Sequence, residues 1–162
     1  MKVFIVDPLK CTGGKSCELA CSFEKTGKFN PADSRIKIFY FPEQIIFIPT
    51  VCMQCRDAYC VQVCPTAALS RDKESNVVYH NDEKCIVCKQ CIMACPWGSI
   101  KLDHEGAKVI KCDTCGGDPA CVKVCTSKAL RFEDADDVVT AKQRETAEKY
   151  LKIAREMAVG VI

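Results

Sequence analysis

Cys85, Cys88, Cys91 and Cys95 stand at the spacing CxxCxxCxxxC, and Pro96 follows the last of them. Three thiolates on one tight loop can cap three irons of a [4Fe-4S] cube. The fourth, set back by a further turn, reaches across to a neighbouring cube. The arrangement recurs along the chain. Cys52, Cys55, Cys60 and Cys64-Pro65 widen the gap between the second and third cysteines, and so do Cys112, Cys115, Cys121 and Cys125-Thr126. The first copy holds only Cys11, Cys17 and Cys21-Ser22, with Gly14 where its second thiol belongs. An internal repeat of ligand loops therefore organises the sequence, and the chemistry it points to is transfer of single electrons.

Other cysteine chemistries fit less well. Fifteen cysteines is an odd number for a disulfide framework. The opening MKVFIVDP shows neither an apolar leader core nor a small-residue cleavage site, and no apolar run reaches the roughly 18 residues of a membrane span. The expectation is a cytoplasmic protein with reduced thiols. A zinc-stabilised interaction module would take two ligands from each of two knuckles, whereas each intact loop here offers three plus one, and neither His80 nor His104 sits at knuckle spacing. Radical chemistry on S-adenosylmethionine needs CxxxCxxC, but Glu24, Ala67 and Gly98 occupy the last position after the relevant pairs. No nucleophile–base pair, paired acid or phosphate loop is present, so no catalytic residues are assigned.

The loop endings suggest how the ligands cross. The second and third loops end in Cys-Pro, the first and fourth in Cys-Ser and Cys-Thr. Pairing like with like assigns Cys52, Cys55, Cys60 and Cys95 to one cluster and Cys85, Cys88, Cys91 and Cys64 to a second. Cys112, Cys115, Cys121 and Cys21 take a third. Cys11, Cys17 and Cys125 are left over. Sequential pairing, first loop with second and third with fourth, is the alternative. Three [4Fe-4S] clusters are expected. The degenerate fourth site is read first as empty, then as [3Fe-4S], then as a cubane completed by water, backbone or a partner chain; plain buried thiols would also account for its cysteines.

Stepwise ligation of this kind needs short connecting elements. The 48% apolar share includes the cysteines, so little is left to build a core by packing alone. Val3–Val6, Ile36–Phe41, Val77–Tyr79, Ile100–Leu102 and Val109–Ile110 read as short strands, and Thr66–Leu69 and Gly98–Ile100 as helical turns leading into strands. The fold class is α+β: two nested ferredoxin-like units plus a C-terminal amphipathic helix. Residues 50–111 would form the inner unit, residues 1–49 and 112–135 the outer one, and residues 136–162 the helix. Thr140 and Gln143 suggest a capping box, Asp136 and Asp137 suit its first turn, and Gly160 would stop it. Ala147, Tyr150, Leu151, Ala154, Met157 and Ala158 form an apolar stripe, to be covered by the protein's own core or by a partner. Trp97 is expected to shield a cluster. His80 and His104 read as exposed hairpin residues, and Lys10, Lys84 and Lys111, each just before a loop's first cysteine, as solvated lysines.

The third loop has the spacing of bacterial ferredoxins, and the four-loop layout resembles the iron–sulfur electron-transfer subunits that accompany molybdenum- and tungsten-pterin oxidoreductases. KCTGGKSCELACSFEKTGKFNPADSRI (residues 10–36) and CDTCGGDPACVKVC (residues 112–125) look most like the small subunits of tungsten aldehyde oxidoreductase-type enzymes, class II benzoyl-CoA reductase of anaerobic bacteria among them. The resemblance covers most of residues 1–133 and departs from the family at Gly14, where a cysteine is usual. It implies a non-catalytic subunit that relays electrons between a ferredoxin or other carrier and a tungsten- or molybdenum-pterin catalytic subunit. A free-standing polyferredoxin is the alternative. With twelve thiolates and three oxidised cores bound, the formal +2 becomes about −4, which suits neither nucleic acid nor a membrane surface.

Overall fold

The computed structural model describes residues 2–159, with side chains as far as Ile153. Its strands form four separate antiparallel ribbons: β1 (Lys2–Val6) with β8 (Leu130–Asp134), β2 (Lys37–Phe41) with β3 (Ile46–Thr50), β4 (Leu69–Arg71) with β5 (Val78–His80), and β6 (Ile100–Leu102) with β7 (Val109–Lys111). The cysteine loops interrupt the chain too often for a wider sheet. Two-stranded ribbons of three to five residues are marginal by themselves, so each must lean on what surrounds it.

Four of the helices carry the loops. They are α1 (Ser16–Thr26), α2 (Tyr59–Gln62), α3 (Gln90–Ala94) and α4 (Ala120–Lys123), which hold Cys17 and Cys21, Cys60, Cys91 and Cys121 respectively. α1 packs on α4, and α2 on α3. α1 stops at Gly27, whose left-handed backbone (φ 69°) lets its amide return to the Phe23 carbonyl. One core gathers Phe4, Ile36, Ile38, Val51 and Leu130 around Cys17, Cys21, Cys52, Cys112 and Cys121. A second gathers Ala58, Leu69, Val78, Ile100 and Val109 around Cys91. The first draws on both ends of the chain because β1 pairs with β8, setting Phe4 opposite Phe132 with ring centroids 4.9 Å apart.

Polar ties join the parts. The buried Glu18 carboxylate accepts from the Ile38 amide at 2.6 Å and faces Lys37 Nζ at 3.7 Å, fixing α1 to β2. Asp33 accepts from the His104 amide at 2.8 Å and pairs with its ring, tying the turn at Pro31–Asp33 to the β6–β7 hairpin.

The expected strands are found to within a residue or so, while α1 to α4, β3 and β8 were not anticipated; residues 66–69 and 98–100, expected as helical turns, form no helix and run straight into β4 and β6. α5 (Ala135–Val159) leaves directly from β8. No capping box forms: the helix starts before Thr140, whose hydroxyl donates back to the Asp136 carbonyl at 3.0 Å, and the entry is capped by Asp134 Oδ1, which accepts from the Asp136 amide at 3.3 Å. The ion pairs Lys149–Glu145 (2.7 Å) and Arg144–Glu148 (3.3 Å) brace it at i,i+4 spacing. Every described side chain from Val139 onward is exposed, Tyr150 and Leu151 included. The protein's own core therefore does not cover this part of the apolar stripe. Gly160 and the side chains of Ala154, Met157 and Ala158 lie outside the described residues.

Candidate metal centres

The cysteines surround three cavities of similar size. The first, about 380 Å³ with its open mouth included, is lined by Cys52, Cys55, Cys60 and Cys95 together with Trp97 and Lys111. The second, about 300 Å³ with its open mouth likewise included, is lined by Cys64, Cys85, Cys88 and Cys91. The third, about 300 Å³ on the same terms, is lined by Cys21, Cys112, Cys115 and Cys121. In each, three cysteines come from one loop and the fourth comes from another. Among the described residues no three His, Cys, Asp or Glu side chains close on the space of a single ion. That donor set, all sulfur with apolar walls, fits [4Fe-4S] cubanes.

Backbone geometry supports the fit. Two residues after the first cysteine of every loop the chain is left-handed: Gly13 (φ 73°), Gln54 (φ 49°), Val87 (φ 53°) and Thr114 (φ 59°). Valine and threonine rarely accept this region, which costs a branched residue on the order of 1–3 kcal/mol. Left-handed residues in such loops help turn amides inward and build the concave donor surfaces found around phosphates and iron–sulfur cores. A second left-handed residue follows three of the last cysteines: Ala67, Gly98 and Lys128. It lets amides fold back on sulfur, so that Ser99 N approaches Cys95 Sγ at 3.4 Å and Leu130 N approaches Cys125 Sγ at 3.4 Å. At Cys21 the donor is Arg35 N, at 3.2 Å.

Burial raises the pKa of four of these thiols. It pushes Cys112 up to about 12 and raises Cys121, Cys60 and Cys91 as well. Cys64 goes the other way: burial still opposes ionisation, but the amides of Leu69, Thr66 and Ala68 and the Thr66 hydroxyl outweigh it and hold the thiol below its ordinary value. A metal core must displace protons from the buried set, and the amides then compensate the thiolate charge.

The incomplete first loop differs. Cys17 is raised to about 11 by burial, with Glu18, Cys11 and Cys125 adding repulsion, which places the three leftover cysteines within electrostatic reach of one another. A Cβ at Gly14 would meet nothing within 4 Å, and its backbone is not left-handed. Gly13 is different, since a Cβ there would lie 2.6 Å from the Phe47 ring.

Two readings of single residues, His80 and Lys111, are corrected. His80 is not exposed: its side chain is 9% accessible, its Nδ1 meets Asp82 at 3.0 Å, and burial holds its pKa below the ordinary histidine value. His104 is half exposed and is raised by its hydrogen bond to Asp33. Lys10 and Lys84 are exposed as expected, but Lys111 is 5% accessible. Trp97 lines the first cavity yet keeps 58% of its surface in solvent, so it covers that cavity as an outer wall. The burial of His80 and Lys111 had no signal in the sequence, because it depends on how β5 and β7 lie against the loops.

The description of a 4Fe-4S dicluster domain matches residues 43–135. The chain is similar to the polyferredoxin-like subunit of aliphatic sulfonate oxidoreductase from Pyrococcus furiosus, with 38% identity over 97% of this chain and 88% of that protein. It is also similar to the beta subunit of NADH-dependent phenylglyoxylate dehydrogenase from Aromatoleum evansii, with 42% identity over 77% of this chain but only 28% of that longer protein. Among solved structures, a chain of the active-site complex BamBC of benzoyl coenzyme A reductase, as isolated, superposes with a TM-score of 0.50 at 20% identity over 98% of this chain and 96% of that one, a likeness of fold. The chain belongs to the 4Fe-4S dicluster domain family and is an iron–sulfur electron-transfer subunit.

Proposed function

We propose that the chain carries three [4Fe-4S] clusters in two nested ferredoxin-like units and relays electrons to or from a tungsten- or molybdenum-pterin catalytic subunit in the cytoplasm of an anaerobe. The proposed ligands are Cys52, Cys55, Cys60 and Cys95; Cys85, Cys88, Cys91 and Cys64; and Cys112, Cys115, Cys121 and Cys21. Cys11, Cys17 and Cys125 form a degenerate fourth site that stays empty. The inner unit would span residues 50–111 and the outer one residues 1–49 and 112–135. The observation that carries the reading is the set of three cavities, each lined by four cysteines with one contributed by a different loop. When bound, each cubane takes up and releases one electron at a time.

The chain's residues would set the terms of that traffic. Amides of Ser99 and Thr66 lie against cysteine sulfur and favour the charged state, while Met53, Tyr59 and Trp97 thin the water over the first cavity without sealing it. Cys88 is exposed, which brings the second cavity to the surface where a carrier such as a ferredoxin could dock. Among the described residues no helix is long and apolar enough to cross a membrane. The two relatives named above are subunits of oxidoreductases, which supports an obligate catalytic partner.

The test is anaerobic purification of the native chain through an affinity tag. Stoichiometric recovery of a subunit containing a pterin-bound tungsten or molybdenum is expected. Recovery of the chain alone, at concentrations where its clusters are intact, would favour the free-standing polyferredoxin.

A further inference from the structure

Lys111 is a buried cation whose counter-charge the polypeptide does not supply. Its Nζ donates to the Val78 carbonyl at 2.8 Å, to the Cys112 carbonyl at 2.9 Å and to Gln54 Oε1 at 3.4 Å. Three acceptors match the three protons of an ammonium group and leave no donor for the lone pair of a neutral amine. None of the three is charged, and among the described residues Lys111 enters no ion pair. An unpaired buried ammonium is strongly unfavourable, so an anion should be placed beside it.

The cavity it borders identifies that anion. Lys111 lines the same void as Cys52, Cys55, Cys60 and Cys95, and its charge partly offsets the effect of burial on the Cys60 thiol. Gln54, which sits between Cys52 and Cys55, holds the arrangement: its Oε1 accepts from the Val78 amide at 3.0 Å and its Nε2 donates to the Cys112 carbonyl at 2.9 Å. Among the described residues the cavity of Cys64, Cys85, Cys88 and Cys91 has no equivalent: Lys89 on its wall is exposed, and the buried His80 already faces Asp82. A four-thiolate cubane is anionic when oxidised and more so after gaining an electron, so a fixed cation favours the reduced form.

We propose that Lys111 is the built-in counter-ion of the centre held by Cys52, Cys55, Cys60 and Cys95, making it easier to reduce than the centre of Cys64, Cys85, Cys88 and Cys91. Between these two centres an electron settles on the first, beneath Trp97. The inference rests on those cysteines being cluster ligands, as proposed above.

The test is a dithionite titration of the anaerobically reconstituted full chain followed by electron paramagnetic resonance, with the signal of the Lys111 centre identified by its change in Cys60→Ser. Wild-type protein should show that signal before that of the Cys64 centre. Lys111→Met should keep its iron while the equilibrium constant for reducing this centre falls by tenfold or more, about 59 mV for a one-electron couple, and the Cys64 centre moves less. Lys111→Arg, which keeps the charge, should restore most of the difference. Full iron with an unmoved potential in Lys111→Met would overturn the proposal, and so would an equal shift in Lys111→Arg. If Lys111→Met sheds about four irons, the arginine variant decides: retained cluster and potential support the charge, and loss in both shows a role of shape alone. A wild-type chain lacking this cluster would refute the ligand assignment itself.

Discussion

Gly14→Cys is expected to raise the iron content of the anaerobically reconstituted chain by about four atoms. The first loop already offers Cys11 and Cys17, and Cys125 is close enough to raise the Cys17 pKa, so one thiolate separates this site from a complete set. The new side chain costs little to accommodate. Nothing lies within 4 Å of a Cβ at this position, and its backbone is outside the left-handed region that would strain a cysteine. Replacing glycine also narrows the unfolded ensemble of the Gly13-Gly14 stretch, worth about 0.4–1 kcal/mol in favour of the closed loop. Unchanged iron would mean that the loop, held by Gly13 against Phe47, excludes a core whatever its ligands. A [3Fe-4S] signal in the oxidised wild-type protein that the substitution abolishes would show that the site is filled already.

The second large effect concerns α5. Tyr150 and Leu151 are 69% and 51% exposed, uncovered by the described residues. Replacing both with aspartate should therefore leave iron content and visible spectrum intact, because exposed substitutions usually change stability by no more than about 0.5 kcal/mol. If this stripe meets the catalytic subunit, the same change puts two unpaired charges into a buried contact at several kcal/mol, and co-purification should weaken by roughly a hundredfold or more. Retention of both clusters and partner would remove the docking role. Bleaching or aggregation would instead show that the helix closes over its own core.

What could be read from the sequence, and what could not, follows from the range of the interactions. The cysteine loops are local patterns whose spacing states their chemistry, and the Cys-Pro, Cys-Ser and Cys-Thr endings suffice to propose which loops exchange ligands. β6 is equally local: Ile100 to Leu102 alternates between two flanking turns and is found where it was expected. β8 was missed because Leu130–Asp134 is a strand only by virtue of β1, which is more than a hundred residues earlier. The helix start went wrong for a subtler reason. Thr140 and Gln143 have the form of a capping box, but Asp134 stands at the end of a strand and caps the helix a turn and a half sooner. Lys111 is the clearest case. Its neighbours in sequence describe a surface lysine, and only the approach of Val78 and Gln54 encloses it.

The left-handed backbone at Val87 and Thr114 belongs to the same class. Neither residue type predicts it, and local propensity opposes it. The loops accept the strain because three sulfurs and several amides must face one point, a requirement visible in the cysteine spacing but not in the residues between them.

The most direct test of the whole account is the metal content of the anaerobically purified chain, measured together with its visible absorption. Three complete ligand sets predict roughly 12 iron atoms per chain, a broad brown absorption that bleaches on reduction, and little zinc. A value near 8, or stoichiometric zinc with no colour, would contradict it.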